Sequence, residues 1–410
     1  MSTTKQSEPR TIELSIGELA AGGDGVGRDA DGRVTFVPAT VPGDRVRVQL
    51  IDERKSFARG VVADVLTAST DRVDPRCRFF VDRSCGGCQW QHVAVAAQRR
   101  AKQHLVQSAL RKLSVTVAAI DCPVPDYQWR RRARLHWARP RRADRAVLGF
   151  FAPRSDRVTD IDDCAQLEPA LQAAIGVLRA ELCSALTGRG EIDVVAGRGG
   201  DVCVYVRGPC DPAAVETLVG RAPIVGVALG KRRFGATDVE LEGGLQVAAA
   251  EFAQASAAGN EHLCQLVATA CGDVAGKDVL ELFAGGGNFT RLLTGAAALL
   301  AVDSHALPTL SSPHRSRRGD AADITARLVQ KRRRFDLVVL DPPRTGARAT
   351  MPHIAKLAPA RIVYVSCNPA TLARDAEILA GHGYTVTSAQ PIDLMPQTAH
   401  VEVVAVLDKT

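Results

Sequence analysis

The sequence predicts an α/β protein in three parts: an N-terminal β-barrel, a central α+β domain and a C-terminal domain around a parallel sheet. Three observations support this order. Short strands separated by Gly, Asp and Pro turns occupy residues 11–66, clustered cysteines and arginines follow, and apolar strands alternate with helical segments from Gly276 onward. Such alternation is typical of a parallel sheet covered by helices. At 410 residues the chain exceeds one typical domain, and we place the domains at 8–67, 68–250 and 251–410.

Composition and charge exclude several classes of protein. The hydrophobic fraction of 46% and charged fraction of 24% are ordinary for a soluble chain, and the net charge of +7 is modest. The N-terminal residues lack the apolar core of a secretory signal, and no apolar run approaches the roughly 20 residues of a membrane span. The eleven cysteines form no small disulfide framework, which favours metal binding or catalysis for those that cluster. We therefore expect a cytoplasmic protein with no membrane association and no obligate protein partner.

The N-terminal region has the pattern of a small barrel. Strand-like residues 12–14, 34–37, 46–50 and 59–62 alternate with turns at 22–25, 29–32 and 42–44. Evenly spaced short strands of this kind are typical of OB-like barrels. Arg54, Lys55 and Arg59 would lie on one side and suit a phosphate backbone, although a barrel used only for packing fits the same pattern. The runs Gly-Val-Gly-Arg, Gly-Arg-Val-Thr-Phe-Val-Pro and Val-Pro-Gly-Asp resemble a TRAM domain, which implies RNA binding.

A cysteine cluster follows the barrel. Cys77 precedes a Cys-x-x-Cys hairpin formed by Cys85 and Cys88 with two glycines between them. Three thiolates so close together repel one another unless a metal neutralises them, which predicts a metal site. Cys164 is the best candidate for a fourth ligand, and His92 is its competitor. Zinc bound by Cys₄ or Cys₃His and a [4Fe–4S] cluster bound by Cys₄ both fit the pattern.

Two basic segments come next. The pattern over 93–113 is helical, its charges favour a solvated helix face, and we expect the helix to pack on the catalytic domain. Residues 127–145 contain eight arginines around Trp129, His136 and Trp137. Guanidinium groups suit phosphates and exposed rings suit the splayed bases of single-stranded RNA, so this segment predicts an RNA partner. The alternative is that these arginines are ordinary solvent-exposed side chains of a strand.

A glycine-rich turn opens the C-terminal domain. Residues 277–282 form a strand that runs into Ala-Gly-Gly-Gly and then a helix, which suits close approach of a ligand to the backbone. Nucleotide cofactors share such turns, but two carboxylates narrow the choice. Glu281 stands before the turn in place of a phosphate-binding lysine, and Asp303 ends the next strand, where it can hold ribose hydroxyls. Together they predict S-adenosylmethionine as the ligand.

Candidate reactive side chains follow the later strands. Asp341 ends a buried strand and precedes Pro-Pro-Arg344, whose arginine cannot supply the aromatic stack of an amino-group methyltransferase. Cys367 follows the β-rich run 361–366, which places a thiol at the carboxyl end of a parallel strand, where α/β folds carry reacting groups. A nucleophile is the functional interpretation, and an ordinary buried cysteine is the alternative. The last strand starts at Glu402, with His400 nearby in sequence.

Four motifs carry a resemblance to a known family. They are Cys-Gly-Gly-Cys-Gln-Trp-Gln-His at 85–92, Leu-Asp-Pro-Pro-Arg-Thr-Gly at 340–346, Val-Ser-Cys-Asn-Pro-Ala-Thr at 365–371 and Pro-Gln-Thr-Ala-His-Val-Glu at 396–402. Over nearly its whole length the chain resembles the RNA uracil-C5 (5-methyluridine) methyltransferase family, in its form with a TRAM barrel and an iron–sulfur cluster. The resemblance implies an OB-like TRAM barrel, a central iron–sulfur and RNA-binding domain, and a Rossmann-like class I methyltransferase domain.

The resemblance also assigns roles to individual residues. It implies Cys367 as the nucleophile and Glu402 as the base. The implied ligands of a [4Fe–4S] cluster are Cys77, Cys85, Cys88 and Cys164, and the implied contacts of S-adenosylmethionine are Gln254, Phe283, Asn288, Asp303, Asp320 and Asp341. Three features depart from the family pattern: a longer spacing from Cys77 to Cys85, Ser256 in place of an asparagine, and a short stretch 304–320 without the usual long helix.

The activity that the resemblance implies is S-adenosylmethionine-dependent methylation of uridine C5 in RNA, with 23S ribosomal RNA as the expected substrate. Carbon 5 of uracil is a poor nucleophile, so addition of the Cys367 thiolate to carbon 6 would activate it, and Glu402 would later remove the carbon-5 proton. The same chemistry on a tRNA T-loop uridine is the close alternative. A non-catalytic RNA-binding protein with a decayed methyltransferase fold and an amino-group methyltransferase are the competing classes.

Overall fold

The computed structural model describes residues 10–305, 307 and 310–410. Residues 8 and 9, where the predicted barrel domain begins, lie outside the described residues, as do residues 306, 308 and 309 of the short stretch 304–320. In the described part of the chain, no helix has both the length and the apolar character needed to cross a membrane.

The N-terminal strands form the predicted barrel. Five strands close on themselves in the order β1-β2-β3-β5-β4, with β3 and β5 parallel and the other pairs antiparallel. Alternate residues such as Leu14, Val46 and Val48 point into the interior, because successive side chains of a strand face opposite sides. The strands are β1 (Thr11–Leu19), β2 (Gly25–Arg28), β3 (Val34–Val37), β4 (Arg45–Glu53) and β5 (Phe57–Thr67).

The central region is built on a seven-stranded sheet of order β12-β11-β10-β9-β6-β7-β8. Two helices precede it, α1 (Arg78–Val81) and α2 (Val95–Leu110). The further elements are β6 (Arg132–Ala138), β7 (Val147–Phe151), β8 (Val158–Asp160), α3 (Pro169–Val177) continued by a π-helical turn (Leu178–Leu182), β9 (Arg189–Ala196), β10 (Val202–Arg207), α4 (Pro212–Glu216), β11 (Ile224–Leu229) and β12 (Arg232–Gly235). A hairpin of β13 (Asp238–Glu240) and β14 (Gln246–Ala248) flanks a 3₁₀ turn (Glu242–Gly244) and leads to the C-terminal region.

The arginine-rich segment does not form the RNA-stacking surface that its composition predicts. Trp129 and Trp137 are 2% and 0% exposed, so their rings are core side chains and cannot stack on bases. Arg131 is buried and pairs with Glu242 at 2.5 Å, and Arg134 binds Asp193 of the neighbouring strand at 2.8 Å. The charges of these two arginines are thus neutralised by carboxylates of the protein itself.

The C-terminal region is a seven-stranded sheet of order β17-β16-β15-β18-β19-β21-β20, with helices on both faces. All neighbours are parallel except β21, which runs antiparallel to β19 and β20. Helix α2 of the central region covers one face together with α8, so the two regions share a core. The elements are α5 (Ala257–Cys271), β15 (Asp278–Leu282), β16 (Ala298–Asp303), β17 (Arg315–Arg318), α6 (Ala321–Gln330), β18 (Leu337–Leu340), α7 (Met351–Leu357), β19 (Arg361–Ser366), α8 (Pro369–Ala380), β20 (Tyr384–Ile392) and β21 (Glu402–Lys409).

One predicted helix is wrong. The sequence predicts a helix after the glycine-rich turn, but the structure has only a 3₁₀ turn at Thr290–Leu292. The connection from β15 to β16 is close to the lower limit of about a dozen residues for a parallel crossover. After the turn itself, too little chain is left for a regular α-helix.

Candidate active site

The candidate reactive residues meet at the carboxyl edge of the parallel sheet. Strands β15, β16, β18 and β19 end there, and the loops that follow them carry the glycine turn, Asp303, Asp341 and Cys367. In open α/β sheets, ligands bind in the crevice at this edge. The sheet therefore brings together residues that lie far apart in sequence.

Cys367 and Glu402 face each other across two neighbouring strands. Ser366 of β19 lies opposite Val403 of β21 in an antiparallel register, which places the adjacent positions 367 and 402 opposite one another. Cys367 is half-buried, and its loop is fixed because the Asn368 side chain accepts a hydrogen bond from the Ala370 amide at 3.1 Å, capping α8. The thiol is thus held at a strand end between the sheet and a helix N-terminus.

Burial and nearby negative charge raise the pKa values of both Cys367 and Glu402. Burial, followed by the carboxyls of Glu402 and Asp341, raises the pKa of the Cys367 thiol to about 11, while Arg344 acts in the opposite direction. Burial and the neighbouring Asp341 raise the pKa of Glu402 well above its ordinary value. Burial raises the pKa of Asp341 to about 7. Both carboxyls therefore hold a proton more readily than an exposed carboxyl does, which suits a group that removes a proton from a substrate carbon.

Arg344 links the segments that surround Cys367. Its carbonyl accepts hydrogen bonds from the Asn368 side chain at 3.0 Å and from the Thr371 hydroxyl at 3.3 Å. Its guanidinium lies 3.0 Å from Nε2 of His400. Burial and the Arg344 charge lower the pKa of His400 to about 4, so His400 is neutral and its Nε2 accepts the hydrogen bond. The loops after β18 and β19 and the segment before β21 are therefore tied together at one point.

The glycine turn forms an open cradle beside these residues. The Gly285 amide donates to Oδ2 of Asp303 at 2.9 Å, which fixes the carboxylate against the turn. Gly285 has φ 54 and Gly287 has φ 92, a backbone region that favours glycine. A Cβ atom added at Gly285 or Gly286 would meet no atom within 4 Å, so the backbone faces open space that a ligand can fill. The neighbouring Phe283 also has a positive φ of 62.

The other predicted cofactor contacts lie around this cradle. The side-chain amides of Asn288 and Asn260 exchange two hydrogen bonds at 2.7 and 3.0 Å, which join the turn to α5. Gln254 is half-buried just before α5, where its carbonyl accepts from Arg131 at 3.1 Å. Asp320 is exposed and caps α6 by accepting from the Ala322 amide at 2.8 Å. Ser256, the departure from the family pattern, caps α5 by accepting from the Gly259 amide at 3.2 Å.

Glu281 has a different role from the ligand recognition that its place before the turn predicts. Its side chain is 1% exposed and accepts a hydrogen bond from the Thr290 hydroxyl at 2.6 Å, across the glycine turn. Burial raises the pKa of Glu281 to about 8, and Asp341 and Asp303 add to the shift. Its carboxyl therefore lies inside the protein beneath the glycine turn, where it joins the strand before the turn to the residues after it.

Comparisons with known proteins decide the family. The family model described as tRNA (Uracil-5-)-methyltransferase matches residues 324–410, and the TRAM domain model matches residues 5–63. The 23S rRNA (uracil(1939)-C(5))-methyltransferase RlmD of Pectobacterium atrosepticum is 32% identical to this chain, over 98% of this chain and 95% of its own length. The protein of the same name from Salmonella typhimurium is 34% identical over 99% and 97%. The chain belongs to the RNA (uracil-C5)-methyltransferase family.

A solved structure supports the fold of this methyltransferase. The tRNA (uracil-54, C5)-methyltransferase of Pyrococcus abyssi, in complex with S-adenosyl-L-homocysteine, matches 97% of this chain and 100% of its own with a TM-score of 0.70. At 20% sequence identity this likeness shows the fold alone. The predictions of an RNA (uracil-C5)-methyltransferase and of a TRAM domain are confirmed, whereas the roles of individual residues stay predictions.

The four cysteines of the predicted metal site line one cavity of the methyltransferase. Cys77, Cys85, Cys88 and Cys164 share it with Trp129 and Arg130. Burial, together with the neighbouring thiols, raises the pKa of Cys88 to about 12 and that of Cys164 to about 11. His92 does not line the cavity, because its Nε2 lies 3.1 Å from the Thr40 carbonyl and its ring stacks on Phe80. Cys164, and not His92, is therefore the fourth candidate ligand that lines this cavity.

The residues of this cavity include four thiols, the donor type that zinc sites and iron–sulfur clusters share. All eleven cysteines are free thiols. In the described ranges, no three His, Cys, Asp or Glu side chains converge closely enough to hold one metal ion. Each cysteine of a [4Fe–4S] cluster binds a different iron, so its thiolates lie farther apart than around a single ion. Four thiols around one cavity are the donor set that such a cluster requires.

Exposed cations on the edge strand β17 and on the loop that leads from α6 to β18 were also missed from the sequence. We define the β17 surface by the exposed cations of β17 and of the loop after α6: Arg315, Arg318, Lys331, Arg332, Arg333 and Arg334. No ion pair joins any of them to a carboxylate among the residues that the structure describes, in contrast to the arginines of the central sheet. The two runs Arg-Ser-Arg-Arg and Lys-Arg-Arg-Arg are visible in the sequence, and their charge is the signal that could have found this surface.

Proposed function

We propose that the protein methylates carbon 5 of a uridine in 23S ribosomal RNA, with S-adenosylmethionine as the methyl donor. One observation carries the proposal: Cys367, Glu402 and Asp341 converge at the carboxyl edge of the sheet, beside an open glycine cradle. Relatives that match nearly the whole chain are named as 23S rRNA (uracil-C5)-methyltransferases, which supports this choice of RNA. A ribosomal RNA substrate implies that the enzyme works in the cytoplasm.

The residues around the cradle are proposed to hold the methyl donor, which supplies an electrophilic methyl group on a sulfonium. Asp303 is fixed by the Gly285 amide, and Asp341 stands at the same edge. We assign the donor contacts to Gln254, Phe283, Asn288, Asp303, Asp320 and Asp341. Holding the reacting carbon and the methyl group in line can supply roughly 7–11 kcal/mol of the barrier reduction.

The chemistry follows from the positions of Cys367 and Glu402. The Cys367 sulfur bonds to carbon 6 of uracil, and the electron pair of the carbon 5–carbon 6 double bond moves into an enolate that makes carbon 5 nucleophilic. Carbon 5 then attacks the methyl group of the sulfonium, and the sulfur–methyl bond breaks to leave S-adenosylhomocysteine. Glu402 removes the proton from carbon 5, the double bond re-forms, and the carbon–sulfur bond breaks to release Cys367. Reaching this crevice requires the uridine to leave its stack, at a cost of a few kcal/mol that is smallest in an unpaired loop.

Cys77, Cys85, Cys88 and Cys164 are proposed to hold a [4Fe–4S] cluster with a structural role. Their shared cavity and the absence of any disulfide in the described chain support this assignment. Protein purified without oxygen should contain about four iron atoms per chain. A Cys164→Ser variant should lose most of the iron, whereas Cys210→Ser, at a cysteine outside the cavity, should retain it. Full iron content in Cys164→Ser would contradict the ligand set.

RNA is proposed to contact the barrel and the β17 surface. The cations of the β17 surface lack carboxylate partners in the described residues, so they are available to phosphates. We assign the barrel to 8–67, the central domain to 68–250 and the methyltransferase domain to 251–410. The methylated uridine would lie at the carboxyl edge, with flanking RNA along the outer surfaces.

A labelling experiment tests the proposed function. The purified protein is incubated with methyl-labelled S-adenosylmethionine and either 23S rRNA or tRNA that lacks 5-methyluridine, and the nucleosides are separated by mass spectrometry. We expect label in 5-methyluridine of 23S rRNA. Label in tRNA alone would establish the alternative substrate, and label in N-methylated bases would contradict the chemistry.

A further inference from the structure

The loop that carries Cys88 is bonded directly to the segment that leads to Glu402. The Gln397 carbonyl accepts hydrogen bonds from the Gln89 amide at 3.1 Å and from the Trp90 amide at 3.0 Å. The Ala399 amide donates to the Gln89 side chain at 3.4 Å. Gln89 follows Cys88 immediately in the chain. We call residues 395–402 the base segment and residues 85–90 the cysteine loop.

Gln397 has an unfavourable backbone conformation that is stabilised by hydrogen bonds from other residues. It has φ 67, in the left-handed region that is unfavourable for a residue other than glycine. Its side chain is 1% exposed. Gln98 of α2 supports it with two bonds, since the Gln98 side chain accepts from the Gln397 amide at 2.9 Å and donates to the Gln397 side chain at 2.9 Å. Gln98 also donates to the carbonyls of Trp90 and Val93 at 3.0 and 2.8 Å.

The remaining contacts of the base segment also connect the cysteine cavity to the active site. Thr398 lines the cysteine cavity itself. His400 lies against Arg344 at the active site. Just upstream of the segment, the fully buried Lys102 of α2 bonds Asp393 at 2.5 Å and the Met395 carbonyl at 3.0 Å. The segment is thus held by the cysteine loop and α2 at one end and by the active site at the other.

We propose that Gln397 is a positioning residue through which the cysteine loop holds Glu402 in place for proton removal. The inference rests on the proposed function, because it takes Glu402 as the base. Under this proposal the cysteine site affects catalysis. An ordered cysteine loop keeps its hydrogen bonds to the Gln397 carbonyl, and these bonds hold the base segment in place. Cys367 directly follows β19 and lies outside the base segment, so its addition to carbon 6 and the methyl transfer do not depend on this contact.

The two steps can be separated experimentally. If the base is displaced, methyl transfer continues but elimination slows, so a covalent protein–RNA adduct accumulates and is visible on a denaturing gel. The variants are Gln98→Ala, which removes both side-chain supports, and Gln397→Gly, which keeps the left-handed backbone but loses the side chain. Gln107→Ala, an exposed glutamine of the same helix, is the matched control. Glu402→Gln, which lacks the base, is the reference for the adduct that is expected when proton removal fails.

We expect Gln98→Ala and Gln397→Gly to slow turnover by about 10- to 100-fold, since a displacement of about 1 Å has effects of this size. Methyl transfer in a single turnover should stay within about twofold of the unmodified protein, and the adduct should accumulate. Turnover without adduct in both variants, or an equal loss of methyl transfer and turnover, would overturn the inference. If Glu402→Gln itself forms no adduct, the failure lies in the proposed function.

A second readout does not depend on activity. Amide hydrogen exchange is measured in peptides that cover residues 395–402, in iron-loaded protein and in Cys88→Ser protein. We expect faster exchange in the base segment of Cys88→Ser and of Gln98→Ala, with unchanged exchange in β18 and β19. Equal protection of the base segment in all proteins would show that the cysteine loop does not hold it.

Discussion

Cys367 combines an accessible position at a strand end with surroundings that keep it a thiol. Burial and the carboxyls of Glu402 and Asp341 raise its pKa to about 11, and Arg344 is the cation that opposes them. Below this pKa the thiolate fraction grows about tenfold for each unit of pH. The reactivity of the free enzyme should therefore depend on Arg344 and on pH.

Replacing Arg344 should shift the pH profile of the reaction. Loss of a nearby positive charge raises the pKa of a thiol, typically by 1–3 units, so Arg344→Ala should lower kcat/KM at pH 7 by about tenfold or more. Because the lost quantity is thiolate, raising the pH should restore part of the activity. The profile of kcat/KM against pH reports groups of the free enzyme and is the measurement to make. Arg348→Ala, at an exposed arginine of the same loop, is the control, and identical profiles for both variants would refute this role.

At the scale of elements, the sequence pattern predicts the sheet well and its connections less well. Runs such as Leu337–Leu340 and Arg361–Ser366 are apolar, end at polar residues and form the expected strands. The site at their carboxyl ends follows from that topology, which explains why Asp341 and Cys367 could be found from sequence. The absence of a helix after the glycine turn could not be predicted in the same way. The length of the crossover prevents a helix there, whereas the local helix propensity of the sequence does not.

Glu281 of β15 makes the stability of this element depend on pH. Its pKa is raised to about 8 in the folded protein, against about 4.3 in an unfolded chain. The protonated carboxyl therefore stabilises the fold fully below about pH 4.3, and this contribution is lost as the pH rises toward 8. Glu281→Gln should remove this dependence and melt at a higher temperature than the unmodified protein at pH 9, by about 2–4 °C per kcal/mol.

The comparison of melting temperatures at pH 5 and pH 9 checks this expectation. The advantage of Glu281→Gln should grow with pH. Glu377→Gln, at an exposed glutamate of α8, should show no such trend. A Glu281→Gln protein that is less stable at pH 9 than at pH 5, relative to the unmodified protein, would contradict the buried-carboxyl account.

At the scale of the whole molecule, long-range contacts decide which basic residues are free. In the central sheet, Arg134 lies opposite Asp193 in the β6–β9 register, so its charge is already neutralised. Such pairing joins residues far apart in the chain and cannot be read from local composition, so the number of arginines in a segment overstates the charge that is free to bind RNA. The barrel could be recognised from sequence because its strands and turns are local.

Neutralising the β17 surface should weaken RNA binding in a salt-dependent way. Each lost phosphate contact reduces the slope of log K against log salt by about 0.7–0.9. Changing Arg315, Arg318, Lys331 and Arg333 to Gln should therefore reduce the slope by about 3 if all four contact phosphate. Affinity is measured by filter binding across a salt series. Arg145→Gln with Arg189→Gln, at exposed arginines that pair with carboxylates, is the control, and equal slopes would exclude this surface.

The covalent adduct between enzyme and RNA tests the central claim most directly. Glu402→Gln protein is incubated with substrate RNA and S-adenosylmethionine, digested, and mapped by mass spectrometry. The account predicts one crosslinked peptide, modified at Cys367 by a uridine that already carries the methyl group. A methylated RNA released without any adduct, or a crosslink at a cysteine other than Cys367, would contradict it.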